Sequence, residues 1–123
     1  MDKRMQLDAQ QREVCKRYDA VFQSSLLSQK LGISRAFDPA TLPLHGLRRL
    51  PQAGTSRWYI WTGEFSLYPD FFVPLCGEHL RDRCPAVLPF LGLAPGWRFL
   101  LPPGHEDVWL DSTLIETWSR MAR

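Results

Sequence analysis

The chain reads as an α+β domain: an antiparallel sheet of about four strands, with a long N-terminal helix and short helices packed on it. Three stretches predict this. Arg57-Trp58-Tyr59-Ile60-Trp61-Thr62-Gly63 sets three large aromatics and a β-branched residue between turn residues, which is the pattern of a strand. Asp2 to Ser25 contains neither Gly nor Pro and spaces its apolar residues roughly as a helix does. Trp97–Leu101 and Asp107–Leu110 are short apolar runs on either side of Pro102-Pro103-Gly104-His105, as in a hairpin.

Alternation along the aromatic strand puts Trp58 and Ile60 on one face and Tyr59 and Trp61 on the other. Both faces are apolar, so the strand is expected at the centre of the sheet. A buried Trp or Tyr hides roughly 150–250 Å². At about 25 cal/mol per Å² each ring contributes at most about 4–6 kcal/mol. Trp58, Tyr59, Ile60 and Trp61, with Trp97, Phe99 and Trp109 from the second hairpin, are therefore the expected core.

The elements follow in order. Met5, Leu7, Val14, Tyr18, Val21 and Phe22 would line the apolar side of a helix over about 2–25. Leu26–Leu31 would extend that helix or begin another, with Gly32 as its stop. Residues 34–46 are irregular, punctuated by Pro39 and Pro43. Leu47–Leu50 reads as a short strand pairing antiparallel with Arg57–Thr62. Glu64–Pro74 reads as a loop rich in aromatics, and such loops are tied down by their rings. Leu75–Arg83 reads as a short helix, and Pro85 starts another that ends at Gly92. Asp111-Ser112 would cap a last helix over about 113–120, with Leu114, Ile115 and Trp118 inward. The sheet-containing core then spans about 47–110 of a single domain, 1–123.

Composition bounds the function. The chain has 123 residues, 45% hydrophobic and 23% charged, as ordinary globular domains do. Fifteen basic residues against thirteen acidic leave a net charge of +2, too little to point to nucleic acid or an anionic membrane. Three cysteines, Cys15, Cys76 and Cys84, imply no disulfide framework. The start, Met1-Asp2-Lys3-Arg4, leads into a polar amphipathic segment unlike a secretory signal, and no apolar run approaches a membrane span. These features predict a cytoplasmic location.

Residues with reactive side chains do not assemble into a recognisable catalytic pattern. Cys76, His79, Cys84 and His105 are zinc ligands by type, but their spacing matches no zinc knuckle, so no metal is expected. Ser56, Ser66 or Cys76 would need His45, His79 or His105 as a base, and no nucleophile signature surrounds them. Glu64, Asp70 and Glu78, or Glu106, Asp107 and Asp111, could line a cleft as paired carboxylates, but a solvated surface is the better explanation of both sets. Gly92 to Gly96 holds Pro95 and lacks the Lys-Ser/Thr of a phosphate loop. Arg48, Arg49 and Arg57 stand beside aromatics without an RNA-binding consensus. No catalysis and no cofactor are expected.

The stretch Gly54-Thr55-Ser56-Arg57-Trp58-Tyr59-Ile60-Trp61-Thr62-Gly63-Glu64 resembles the small-Ser-Gly-Trp-aromatic-x-x-Gly segment of a bacterial immunity-protein domain, formerly a domain of unknown function. The likeness continues through Tyr68-Pro69-Asp70, Pro74-Leu75 and Cys84-Pro85-Ala86-Val87-Leu88-Pro89-Phe90-Leu91 to Pro95-Gly96-Trp97, covering about residues 54–101. Arg57 stands where that family has glycine, and its acidic run after Gly63 is reduced here to Glu64.

The resemblance implies a non-enzymatic protein that binds and neutralises a cognate toxin of polymorphic or type VI secretion systems. Aromatic and Arg residues at a desolvated centre carry such interfaces. Glu64, Phe65, Tyr68, Asp70 and Phe72 on the first loop, with Glu106 and Asp107 on the second turn, are the expected partner-binding residues. The alternative is a small adaptor module, homodimeric through its N-terminal helix.

Overall fold

The computed structural model describes residues 3–51 and 54–114. Its elements are α1 (Lys3–Arg17), β1 (Lys30–Ser34), β2 (Leu44–Arg48), β3 (Thr55–Thr62), β4 (Phe72–Cys76), α2 (Gly77–Arg83), a 3₁₀ helix (Pro85–Phe90), β5 (Trp97–Leu101) and β6 (Asp107–Leu110). The fold is α+β, as expected, but its sheet has six strands in the order β4-β1-β3-β2-β5-β6. It is mixed rather than antiparallel, because β1 and β3 run parallel. The two expected hairpin pairings, β2 with β3 and β5 with β6, are both present and antiparallel. The two strands beyond the expected four are β1 and β4, which pair with each other.

β1 lies where a helix ending at Gly32 was expected. Gly32 instead sits mid-strand beneath the Tyr59 ring: a Cβ there would stand 2.7 Å from Tyr59 Cδ1. Gly46 plays the same part on the opposite face, beneath the Phe99 ring. Each glycine leaves the room that a neighbouring ring fills. Pro74 is not the end of the aromatic loop. It lies in β4, an outer strand, where a missing N–H is tolerated.

α1 stops at Arg17, well short of Ser25. Asp19 adopts a left-handed φ of 54°. Ala20 N–H donates to Cys15 O (2.8 Å) and Asp19 N–H to Lys16 O (3.3 Å), a Schellman ending with Asp in the usual place of Gly. The last expected helix begins with a turn at Thr113 and Leu114, its backbone held by Asp111; its remainder, from 115 on, lies outside the described residues.

The sheet has two unlike faces. One is covered by α1, α2 and the 3₁₀ helix, which bury Leu31, Ile33, Leu44, Trp58, Ile60, Phe99 and Leu101. Trp58 is fully buried and donates from its indole to Leu91 O (3.0 Å). The opposite face carries a smaller cluster of Leu47, Trp61 and Leu114, flanked by Tyr59, Phe71 and Phe72. Of the expected core, Trp58, Ile60, Trp61 and Phe99 are buried, and Tyr59 and Trp97 half-buried. Trp109 stands outside the core, 39% exposed on the outer strand β6. Arg57 has a left-handed φ of 62°, at the point where the β1–β3 register shifts. That conformation favours glycine, the residue found there in the resembling family.

A buried arginine joins the covered face to the chain that crosses it. Arg48 is 1% exposed. Its Nη1 donates to Gln23 O (2.7 Å) and Leu93 O (2.8 Å), Nη2 to Ser24 O (3.2 Å) and Nε to Ser56 O (3.1 Å). Its guanidinium lies 5.7 Å from the Trp58 ring centroid. No carboxylate pairs with it among the described residues. Burial lowers its pKa to about 10, so it stays charged at neutral pH.

Arg48→Ala should destabilise the chain by about 3–5 kcal/mol, because it strands buried carbonyls and opens a cavity. Arg48→Lys should cost less but still measurably, since one ammonium cannot reach acceptors fanned around a planar guanidinium. Urea denaturation followed by tryptophan fluorescence measures both.

Candidate functional site

Topology gathers three connections at one end of the sheet: residues 35–43 after β1, 63–71 between β3 and β4, and 102–106 between β5 and β6. The middle one is the candidate docking loop. It leaves β3 through Gly63, at a φ of 74°. Phe65 turns back onto the sheet, its ring 5.4 Å from Trp61 and 5.6 Å from Phe71, and Phe71 packs edge-on against Phe72 at 4.8 Å. Polar bonds fasten the same base. Arg35 N–H donates to Phe71 O (2.9 Å), Arg35 Nε to Asp70 O (3.3 Å), and Phe71 N–H to Tyr68 O (3.0 Å).

This anchored base presents an apolar tip. Leu67 is 90% exposed, Tyr68 77% and Phe65 51%. Single exposed apolar residues are ordinary on a protein surface, but three within four positions on one loop form a patch. Glu64 and Asp70 flank the patch, both exposed. Neither forms an ion pair among the described residues. The loop can therefore offer apolar area and negative charge together, on a support that has little ordering entropy left to lose.

The structure separates the sequence-expected residues into two groups. Glu64, Phe65, Tyr68 and Asp70 lie together on the loop, and Phe72 supports it from the start of β4 rather than from its tip. Glu106 and Asp107 lie at the same end of the sheet but three strands away, on the β5–β6 hairpin. Glu106 is already engaged: it accepts from Arg17 Nη2 (2.9 and 3.0 Å) and from the Tyr18 hydroxyl (2.8 Å), tying the hairpin to the end of α1. Asp107 lies 3.1 Å from His105 Nε2 on the exposed turn. Leu67 was not among the expected residues. Its signal was a leucine inside the turn-forming run Ser66-Leu67-Tyr68-Pro69.

The open sheet face beside the loop is aromatic and cationic. His45 stacks on Trp61, with ring centroids 4.8 Å apart and planes 4° from parallel. Burial, and then the charge of Arg98, lower its pKa. Arg57 lies over Tyr59 and Arg98 over Trp109, and Arg98 pairs with Asp111 at 3.2 Å.

Of the groups considered for catalysis, His105 and Asp107 pair on the exposed turn, and Cys76 stands far from both. Cys76 ends β4 beside Lys30, at the opposite end of the sheet from His105, and its thiol lies 3.4 Å from Leu27 O. Cys84 is buried, and burial raises its pKa. No three His, Cys, Asp or Glu side chains converge as metal ligands among the described residues.

The Glu106 clamp has a pH signature. Burial pushes this carboxyl up, but hydrogen bonds from Tyr18 and Arg17 outweigh burial and leave its pKa below the ordinary value of 4.5. A carboxylate depressed in the folded state adds stability above its unfolded pKa and loses it as pH falls through the folded one. Stability from the clamp should therefore be full at neutral pH and decline below about pH 4.5. Glu106→Gln should lose less than about 1 kcal/mol at pH 7, given the partial exposure of the pair, and show a shallower decline in acid. Urea midpoints measured across that range check the sign.

A family model described as the Imm33-like domain matches residues 10–111. The match takes in the second half of α1 and all of β1 and β2, beyond the span of the resemblance over 54–101. No curated protein and no solved structure matches the chain. The chain belongs to the Imm33-like domain family.

Proposed function

We propose that this Imm33-like chain is an immunity protein that binds a cognate bacterial toxin and neutralises it by protein–protein contact. Family membership supports the class of function. The observation that carries the mechanism is the β3–β4 loop, where Phe65, Leu67 and Tyr68 are held out from an anchored base. Glu64 and Asp70 beside them favour a toxin surface that is apolar at its centre and basic around it. Neutralisation then comes from occupying that surface, with no catalysis and no cofactor.

The reading places the chain in the cytoplasm of the producing cell, where it would meet toxin of a polymorphic or type VI secretion system. No helix among the described residues is long and apolar enough to cross a membrane. Phe72 supports the loop rather than touching the toxin, and Glu106 positions the neighbouring hairpin. Asp107, beside His105 on that hairpin, adds a peripheral charge contact.

Purification of the tagged chain from bacteria that produce it should recover one stoichiometric partner carrying a toxin domain, identified by mass spectrometry. Recovery of the chain alone, with the neighbouring gene expressed, would overturn the reading. Against that partner, Glu64→Lys with Asp70→Lys should weaken binding about tenfold, or about 1.4 kcal/mol. Leu67→Ala with Tyr68→Ala should remove more, about 2–4 kcal/mol, with the thermal midpoint unchanged. Unaltered affinity in both double variants would take the loop out of the interface.

A further inference from the structure

The two outer strands of the sheet are β4 and β6, and they differ in what they present outward. Along β4, Arg35 N–H donates to Phe71 O and Gly77 N–H to Gln29 O. Alternation then turns the odd-numbered residues of β4 toward β1 and leaves Phe72, Pro74 and Cys76 facing out. Pro74, at the middle of that outward row, has no N–H to offer, so this edge resists an added strand.

β6 has no such guard. Asp111 N–H donates to Gly96 O (2.7 Å), which turns the odd-numbered residues of β6 toward β5. Val108 and Leu110 therefore direct their N–H and C=O groups away from the sheet. Neither amide has a hydrogen-bond partner among the described residues. Leu110 is 55% exposed, and Trp109 between them is exposed as well.

We propose that β6 is a second docking edge, which accepts an extended protein segment that is basic on one face and apolar on the other. A strand added here would pair through Val108 and Leu110. Asp107, Trp109 and Asp111 would then occupy the close, non-hydrogen-bonded positions, all on the open face. A Lys or Arg opposite Asp107 meets a carboxylate with one oxygen unpartnered among the described residues. On the other face, apolar side chains would meet Val108 and Leu110.

A second copy of this chain fits less well. The full-overlap antiparallel register about Trp109 sets Asp107 against Asp111 of the other copy at both ends, and like charges directly opposite are destabilising. Charge complementarity thus selects a basic strand over β6 itself. This edge lies three strands from β3 and its loop, and of the residues given to toxin docking it uses Asp107 alone.

The test uses the full chain, ¹⁵N-labelled, with two nine-residue capped peptides: alternating Lys and Val, and alternating Glu and Val. In the free chain the Val108 and Leu110 amides should exchange rapidly with solvent. The Lys-Val peptide should shift their resonances and slow their exchange by at least about tenfold. The Glu-Val peptide should do neither. About 0.5 M NaCl should weaken the effect, since the pairing charges are exposed.

Leu110→Pro removes one outward donor without touching the β5–β6 ladder and should abolish the response. Asp107→Lys should reverse the preference between the peptides. Three results would each overturn the proposal: no response to Lys-Val, an equal response to both peptides, or amides already protected in the free chain. Protection that rises with the concentration of the chain alone would assign the edge to self-pairing and also overturn it.

Discussion

A charged side chain buried with no counter-ion among the described residues is the constraint on which the rest of the structure depends. Arg48 sits inside the covered face with its charge spread over carbonyls of Gln23, Ser24, Ser56 and Leu93. An isolated buried charge is too costly to keep, so those carbonyls must be in place whenever the chain is folded. They come from three separate stretches: the crossing segment after α1, the start of β3, and the turn after the 3₁₀ helix. One guanidinium therefore fixes how the chain crosses the covered face. Trp58 adds its indole bond to Leu91 beside it, and the two together hold β2 and β3 against the helical layer.

With that layer fixed, the sheet can afford a less completely covered second face. Trp61 is buried there by Phe65, Phe72 and His45, and the same rings anchor the loop that leaves β3. The docking loop and the open face are thus one aromatic construction. Phe71 and Phe72 stabilise the base, Leu67 and Tyr68 at the tip contribute little to the fold, and Phe65 does both, packed on Trp61 with half of its surface exposed. This division lets Leu67 and Tyr68 change with a partner's surface while Phe65, Phe71 and Phe72 keep the loop in place.

Much of this was legible in the sequence, and the misses have physical causes. Trp58 and Ile60 announced a central strand because both faces of their stretch are apolar. The β5–β6 hairpin was equally plain from the prolines and glycine between its runs. β1 was hidden because Gly32, which looks like a helix stop, makes room for a ring that is distant in sequence. β4 was hidden because Pro74 argues against a strand unless the strand is known to be outermost. α1 seemed too long because its stop is Asp19, and aspartate marks a left-handed ending far less often than glycine does. The loop was visible as a cluster of aromatics and acids. Its exposed leucine was not, because exposure at a loop tip depends on which rings turn inward. Glu106 showed its charge in the sequence but not its engagement by Arg17 and Tyr18.

Pro74 also bears on how far any assembly built on this sheet can grow. Polymerisation by strand addition requires a molecule to accept a neighbour on one edge and offer its other edge to the next. A proline facing outward from β4 closes one of those edges. Strand addition at β6 can then occur once per molecule, which yields a closed complex of fixed stoichiometry rather than a filament.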